Sequence, residues 1–164
     1  MKVKDVMKTD VGSCSAEDNL MKAAEIMRRR DCGAVPIVDE ENRVVGILTD
    51  RDICLAVAAR NRKASDVKCK ELINGEAVVF CAADDKLEDA LRRMRKHRIE
   101  RLPAIGADGE LVGILSIGGI LPFVRRDKKL KKKVYAALEK ISKPRPIVLR
   151  ARDDETVNGE AVRR

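Results

Sequence analysis

Apolar positions along this chain recur with two periods, and each change of period marks an element. Val44 to Leu48 is apolar apart from Gly46 and reads as a short buried strand. Thr49 follows as the cap of a helix running to Ala59, with Asp50 and Asp52 in its first turn. A hydroxyl and two carboxylates thus gather at a helix start, where free backbone N–H groups attract anions. Upstream, Ser15-Ala16-Glu17-Asp18 has the form of a capping box. Leu20, Ala23, Ala24 and Met27 continue at helical spacing, and Arg28, Arg29 and Arg30 crowd the end, where cations suit the dipole. Gly33 is the expected stop. Ala34 to Val38 reads as a strand whose Pro36 predicts an edge or an irregular entry, and Asp39 to Asn42 as the turn back. The unit is strand, helix, strand, strand, helix.

The same unit is written again 67 positions downstream. Leu87, Ala90, Leu91 and Met94 answer the four apolar residues of the first helix, Pro103 answers Pro36, and Gly113 answers Gly46. Register is kept through helix, strand and turn, so the chain is an internal duplication. Each half is small, and a core of that size is marginal alone, so the halves are expected to pack together. The expected division is a first unit over 1–60, a polar linker over 61–70, and a second unit over 71–124 ended by Pro122. Beyond it, Arg125 to Lys143 predicts a basic helix with an apolar stripe of Leu130, Val134, Leu138 and Ile141, stopped by Pro144 and Pro146. Residues 144–164 show no periodicity and are expected to be disordered.

Charge sharpens that division. The net charge of +8 lies wholly in the last segment: residues 1–124 carry 21 basic and 21 acidic side chains, residues 125–164 carry 14 and 6. A polyanionic partner is therefore a question about the tail alone. With aromatics at 2% of the chain and no Trp, base stacking and membrane anchoring look poorly served. Docking of the apolar stripe on the chain's own core, lysines outward, is the expectation. No stretch is apolar enough to span a bilayer, Met1 to Asp5 lacks the apolar region of a secretory signal, and a cytoplasmic location is expected.

Five cysteines without a Cys-x-x-Cys pair, and the single His97, make a zinc site a poor fit; reduced, mostly buried thiols are expected. His97 reads as a helix-terminal residue. No Ser–His–Asp or Cys–His arrangement and no Walker-type loop is legible, so no catalytic residue is assigned and the chain is expected not to be an enzyme.

Two such units, each with a hydrophobic–proline strand and a Gly-h-h-[ST] junction, resemble tandem cystathionine-beta-synthase (CBS) domains over about residues 1–124. The likeness is to small stand-alone bacterial pairs, called Bateman modules. It implies an α+β fold of two CBS units packed about a pseudo-two-fold axis, here with the basic helix added. It also implies a homodimer and an adenosine-containing ligand in a cleft between the repeats: AMP, ADP, ATP, S-adenosylmethionine or a dinucleotide. The family's ribose pattern falls on Gly46-Ile47-Leu48-Thr49-Asp50-Arg51-Asp52, which casts Asp52 as ribose acceptor and Thr49 as a phosphate or ribose contact. Asp50 and Arg51 flank them. Arg101 matches the family's phosphate clamp, and Gly33, Ala34, Val35 and Pro36 would line the adenine.

The second junction departs from the pattern. Ser116 keeps the hydroxyl, Gly119 replaces the ribose aspartate, and Ala34 stands where its arginine would be, so one competent site per chain is expected. Thr49-x-x-Asp52 is also a plain capping box, which needs no ligand. Two functions follow. One is a regulatory nucleotide sensor acting on an unidentified protein. The other is a dimeric interaction scaffold with vestigial sites, whose basic helix binds nucleic acid.

Overall fold

The computed structural model describes residues 1–73, 77–125 and 127–144. The first repeat comprises β1 (Cys14–Ser15), α1 (Leu20–Arg30), β2 (Ala34–Val38), β3 (Val44–Thr49) and α2 (Asp50–Arg60). The second comprises β4 (Cys81–Ala82), α3 (Leu87–His97), β5 (Arg101–Ile105), β6 (Leu111–Ser116) and α4 (Ile117–Ile120). Each repeat forms its own sheet, β1-β2-β3 or β4-β5-β6, with one parallel and one antiparallel pair. The expected α+β duplication is present, down to a register shift at the same place in both antiparallel pairs, Ile37/Val38 and Ala104/Ile105.

Several local expectations change. Helix α1 starts at Leu20, with the Asn19 side chain accepting from the Lys22 amide at 3.0 Å. Ser15 to Asp18 instead closes a turn, the Ser15 amide donating to Asp18 Oδ2 at 2.8 Å. The helix ends before Gly33, at Asp31, which takes the left-handed conformation (φ 48°) itself. Strand β2 is central, not an edge. Its proline is tolerated because β1 pairs only with Ile37 and Val38 and leaves Pro36 without a partner on that side. Helix α4 is four residues long: Gly118 and Gly119 weaken it, and a 3-10 turn over Leu121–Arg125, containing Pro122, takes over.

The repeats exchange their leading segments. Met1 to Lys8 lies on the second repeat: Val3 donates to Asp85 O and Lys4 to Ala83 O, and Val3 is buried in the second core. Residues 61–70 are more than a polar linker, because Val67 and Cys69 are buried in the first core, where the Leu20 amide donates to Val67 O at 2.9 Å. Ion pairs repeat the exchange. Glu17 holds Lys68 at 2.5 Å and Lys70 at 2.7 Å; its counterpart Asp84 holds Lys2 and Lys4 at 2.8 and 2.9 Å. The strand glycines receive the same segments. A Cβ on Gly46 would lie 2.9 Å from the Ile73 side chain, and one on Gly113 2.7 Å from Met7 Sδ. Neither half closes its core without the other, as the small size of each predicts.

Helix α5 (Lys128–Ser142) starts later than Arg125, capped by Asp127, whose Oδ1 accepts from the Lys129 and Leu130 amides at 2.9 Å. It docks on the second core as expected, burying Leu130, Val134 and Ala137 with Leu138 and Ile141 packed alongside. Lys133 pairs with Glu88 of α3. The expectation for residues 144–164 falls, after Pro144, outside the described residues.

Candidate functional site

The two strand–helix junctions are built alike. In the first, Thr49 Oγ1 accepts from the Asp52 amide at 3.2 Å, and Asp52 Oδ2 takes the Thr49 amide at 2.9 Å and the Thr49 hydroxyl at 2.7 Å. The capping box is thus complete, and it engages only Oδ2 of an exposed carboxylate. Asp50 Oδ1 accepts from the Arg51 amide at 2.8 Å. In the second junction Ser116 Oγ accepts from the Gly119 amide at 3.0 Å, and glycine returns nothing.

Strand register sets what faces these caps. Ala34 lies opposite Thr49, and Arg101 lies opposite Ser116. Strands β3 and β5 are in contact across the two repeats. A Cβ on Gly33 would start 3.0 Å from Asp50 Oδ2 and 3.1 Å from Arg101 Nη2. Glycine here lets a carboxylate and a guanidinium close on the backbone from two sides. Arg101 is held loosely: its ion pair with Glu100 spans 4.0 Å, and its side chain is 35% exposed. A guanidinium so placed keeps donors available for an anion.

Arg101 also lines a cavity of about 350 Å³ on the Ser116 side, a size typical of small-molecule sites. Its wall combines Lys8 and Asp10 to Gly12 with Arg30 to Ala34 of the first repeat, and Glu100, Arg101, Ile114 and Ser116 to Gly118 of the second. Across it Arg30 pairs with Asp10, and that guanidinium holds the Asp10 carboxyl below its ordinary range. Gly12 is required where they meet, since a Cβ would lie 2.5 Å from Ile26 Cγ2 and 2.9 Å from Arg30 Nε.

Of the residues singled out in the sequence, Gly33, Ala34 and Arg101 line this cavity. Thr49, Asp50, Arg51 and Asp52 stand together at the first junction, outside its wall. Val35 and Pro36 are buried in the middle of β2. The residues missed are Lys8, Asp10 and Arg30. Lys8 to Gly12 precedes any periodic element and gave no signal; only its bridge to the other repeat, Lys8 amide to Ile114 O at 3.0 Å, puts it at the cleft. Arg30 read as dipole compensation in a basic helix end, which disguised its contact.

A duplicated unit with exchanged leading segments and a cleft where the halves meet defines a paired-repeat module. The CBS domain family matches the chain twice, over residues 3–59 and 69–126, and the chain belongs to that family. It is 37% identical over 122 residues to the CBS domain-containing protein YhcV of Bacillus subtilis, covering 72% of this chain and 81% of that protein. It is 34% identical over 142 residues to inosine-5'-monophosphate dehydrogenase of Methanocaldococcus jannaschii; the match spans 83% of this chain but only 27% of the enzyme. Among solved structures, Hypoxic Response Protein I with two coordinated zinc ions aligns with a TM-score of 0.67 at 30% identity, covering 74% and 98% of the two chains. The CBS domain pair of MJ0100 in complex with 5-methylthioadenosine and S-adenosyl-L-methionine aligns with a TM-score of 0.66 at 26% identity, covering 75% and 94%. Among the described residues of this chain, no three His, Cys, Asp or Glu side chains cluster as metal ligands.

Proposed function

We propose that this chain is a non-enzymatic regulatory module that binds an adenosine-containing ligand between its repeats. The observation that carries this is the approach of Asp50 and Arg101 on either side of Gly33, one charge from each repeat. A ligand with ribose hydroxyls at one end and an anionic group at the other suits this junction, where Asp52 shares the first turn of α2 with Asp50 and Arg101 comes from the other repeat. Asp52 Oδ1 is the ribose acceptor, Oδ2 being taken by Thr49, and Arg101 clamps the anion. Gly33 and Ala34 offer backbone and apolar surface to the adenine, with Val35 and Pro36 buried behind them. Because the two anchors belong to different repeats, the ligand binds one relative orientation best and shifts the population toward it. The adenosyl ligands of the MJ0100 pair support the ligand class. Asp52→Ala tests the ribose role by titration with AMP, ATP and S-adenosylmethionine: affinity falls at least tenfold if the role is right, and unchanged affinity refutes it.

The cavity favours a second reading, in which the ligand occupies the Ser116 side and shares Arg101. Arg101→Ala then weakens binding in both readings, whereas Asp52→Ala leaves it intact only in the second. The module is also proposed to dimerise through α1 and α2, where Met21 and Leu55 are 52% and 53% exposed, while α5 covers α3. Leu55→Lys lowers the mass found by light scattering from two chains to one if so. The regulated protein would read the repeat orientation.

A further inference from the structure

We infer that the outer face of α5 binds single-stranded nucleic acid, independently of the cleft. The helix lies beyond the family match, which ends at residue 126. Its first turn is unusually basic. Helices α2 and α3 carry acids in the first turn, and α1, α2 and α3 all end on basic residues. Helix α5, like α1, has no acid in its first turn beyond its cap, here Asp127; Lys128, Lys129 and Lys131 stand there, at the positive end of the dipole. Folding gains nothing from those three lysines, whereas a polyanion gains from lysines and dipole together. Among the described residues, Lys128, Lys129, Lys131 and Lys132 are exposed and have no ion pair.

Aromatic placement points the same way and fixes the kind of polyanion. The chain has two Phe, one Tyr and no Trp. All three rings lie on the surface, Phe80 at 43%, Phe123 at 41% and Tyr135 at 63% exposure, although rings of this size ordinarily fill cores. Tyr135 stands among the lysines of α5, and Phe123 lies in the 3-10 turn that packs on it. Lys131 Nζ is 6.0 Å from the Tyr135 ring centre, at the limit of a cation–π contact, so the ring face is not sealed. Lysines beside an open ring are the means by which unpaired bases are held: phosphates on cations, a base on the ring. A duplex keeps its bases stacked and would leave the ring unused. A membrane surface needs an apolar face, and that face of α5 is consumed by the core at Leu130, Val134 and Ala137.

The test is fluorescence anisotropy of the full chain with a labelled 20-nucleotide single strand over a range of salt concentrations. Binding is expected to weaken steeply with salt. Lys128→Glu, Lys131→Glu and Lys132→Glu together should lower affinity at least tenfold and flatten the log–log salt slope by about 2, since each phosphate neutralised on a single strand accounts for about 0.7. The same change suits the helix dipole, so the melting temperature should hold or rise, which separates weaker binding from failed folding. Tyr135→Ala should cost roughly tenfold with the slope unchanged, and Tyr135→Phe should restore it. No binding at low salt, equal affinity for duplex, indifference to Tyr135→Ala, or binding only to phosphatidylserine vesicles would each overturn the inference. Nucleotide binding serves as the independent control and should be untouched by all these variants.

Discussion

The two strand–helix junctions descend from one pattern and have come to differ in three ways. At Thr49 the capping box is complete, the acids are present, and α2 runs for 11 residues. At Ser116 the box is half made, both acid positions are lost, and α4 runs for four. The faces of the helices differ as well: α1 and α2 leave Met21 and Leu55 open, while α3 is covered by α5. The sheets, the register and the exchanged segments are unchanged between halves. Duplication has therefore kept what closes the core and let go what holds a polar group at a helix start. The difference separates the demands of folding from those of recognition.

Core equivalence gives the largest expected effects. Leu20 and Leu87 occupy the same place in the two repeats, at 0% and 1% exposure. Either change to Ala should cost about 3 kcal/mol by the usual cavity penalty, seen as matched shifts in urea unfolding. A cost confined to one repeat would break the equivalence. Arg101→Ala comes next, with nucleotide affinity down about tenfold to a hundredfold, as expected for a charge-assisted pair, and thermal stability little changed. Gly119→Asp sharpens the contrast by restoring the missing acid. Ser116 Oγ stands 3.1 Å from the new Cβ and must give slightly. The rebuilt cap should add about 0.5–1 kcal/mol, seen in thermal unfolding, and a second equivalent of nucleotide should bind only when Ala34→Arg is added.

Much of this was legible in the sequence because core and caps leave periodic marks. The 67-residue repeat, both sheets and the docking of α5 followed from apolar spacing alone. What stayed hidden was tertiary. Val67 and Cys69 sit in a polar stretch, and nothing local says that they fill the other repeat's core. Lys8, Asp10 and Arg30 come together from segments without a shared motif. Pro36 misled because the rule against proline in central strands assumes a neighbour at every position, and β1 is only two residues long.

The smallest effect lies in the paired clasps. Lys68 and Lys70 hold Glu17 down to about 2 from its ordinary 4.5, and Lys2 and Lys4 hold Asp84 down to about 2 from 3.8. A lowered carboxyl pKa stabilises the fold above the unfolded value and ceases to as pH falls toward the folded one. Stability should therefore decline between about pH 4.5 and 2. Both carboxylates are exposed, so the decline is modest and shrinks with salt. Glu17→Gln with Asp84→Asn should flatten that part of the profile measured by thermal unfolding; an unaltered profile would remove the clasps from the account.

The central claim is that one cleft per chain, anchored by Asp52 and Arg101, takes an adenosine-containing ligand. Isothermal titration calorimetry of the full chain against AMP, ATP and S-adenosylmethionine tests it most directly. The account predicts saturation near one ligand per chain with at least one of the three, weakened at least tenfold in both Arg101→Ala and Asp52→Ala. No heat with any of them, together with an unmoved melting temperature, would contradict it.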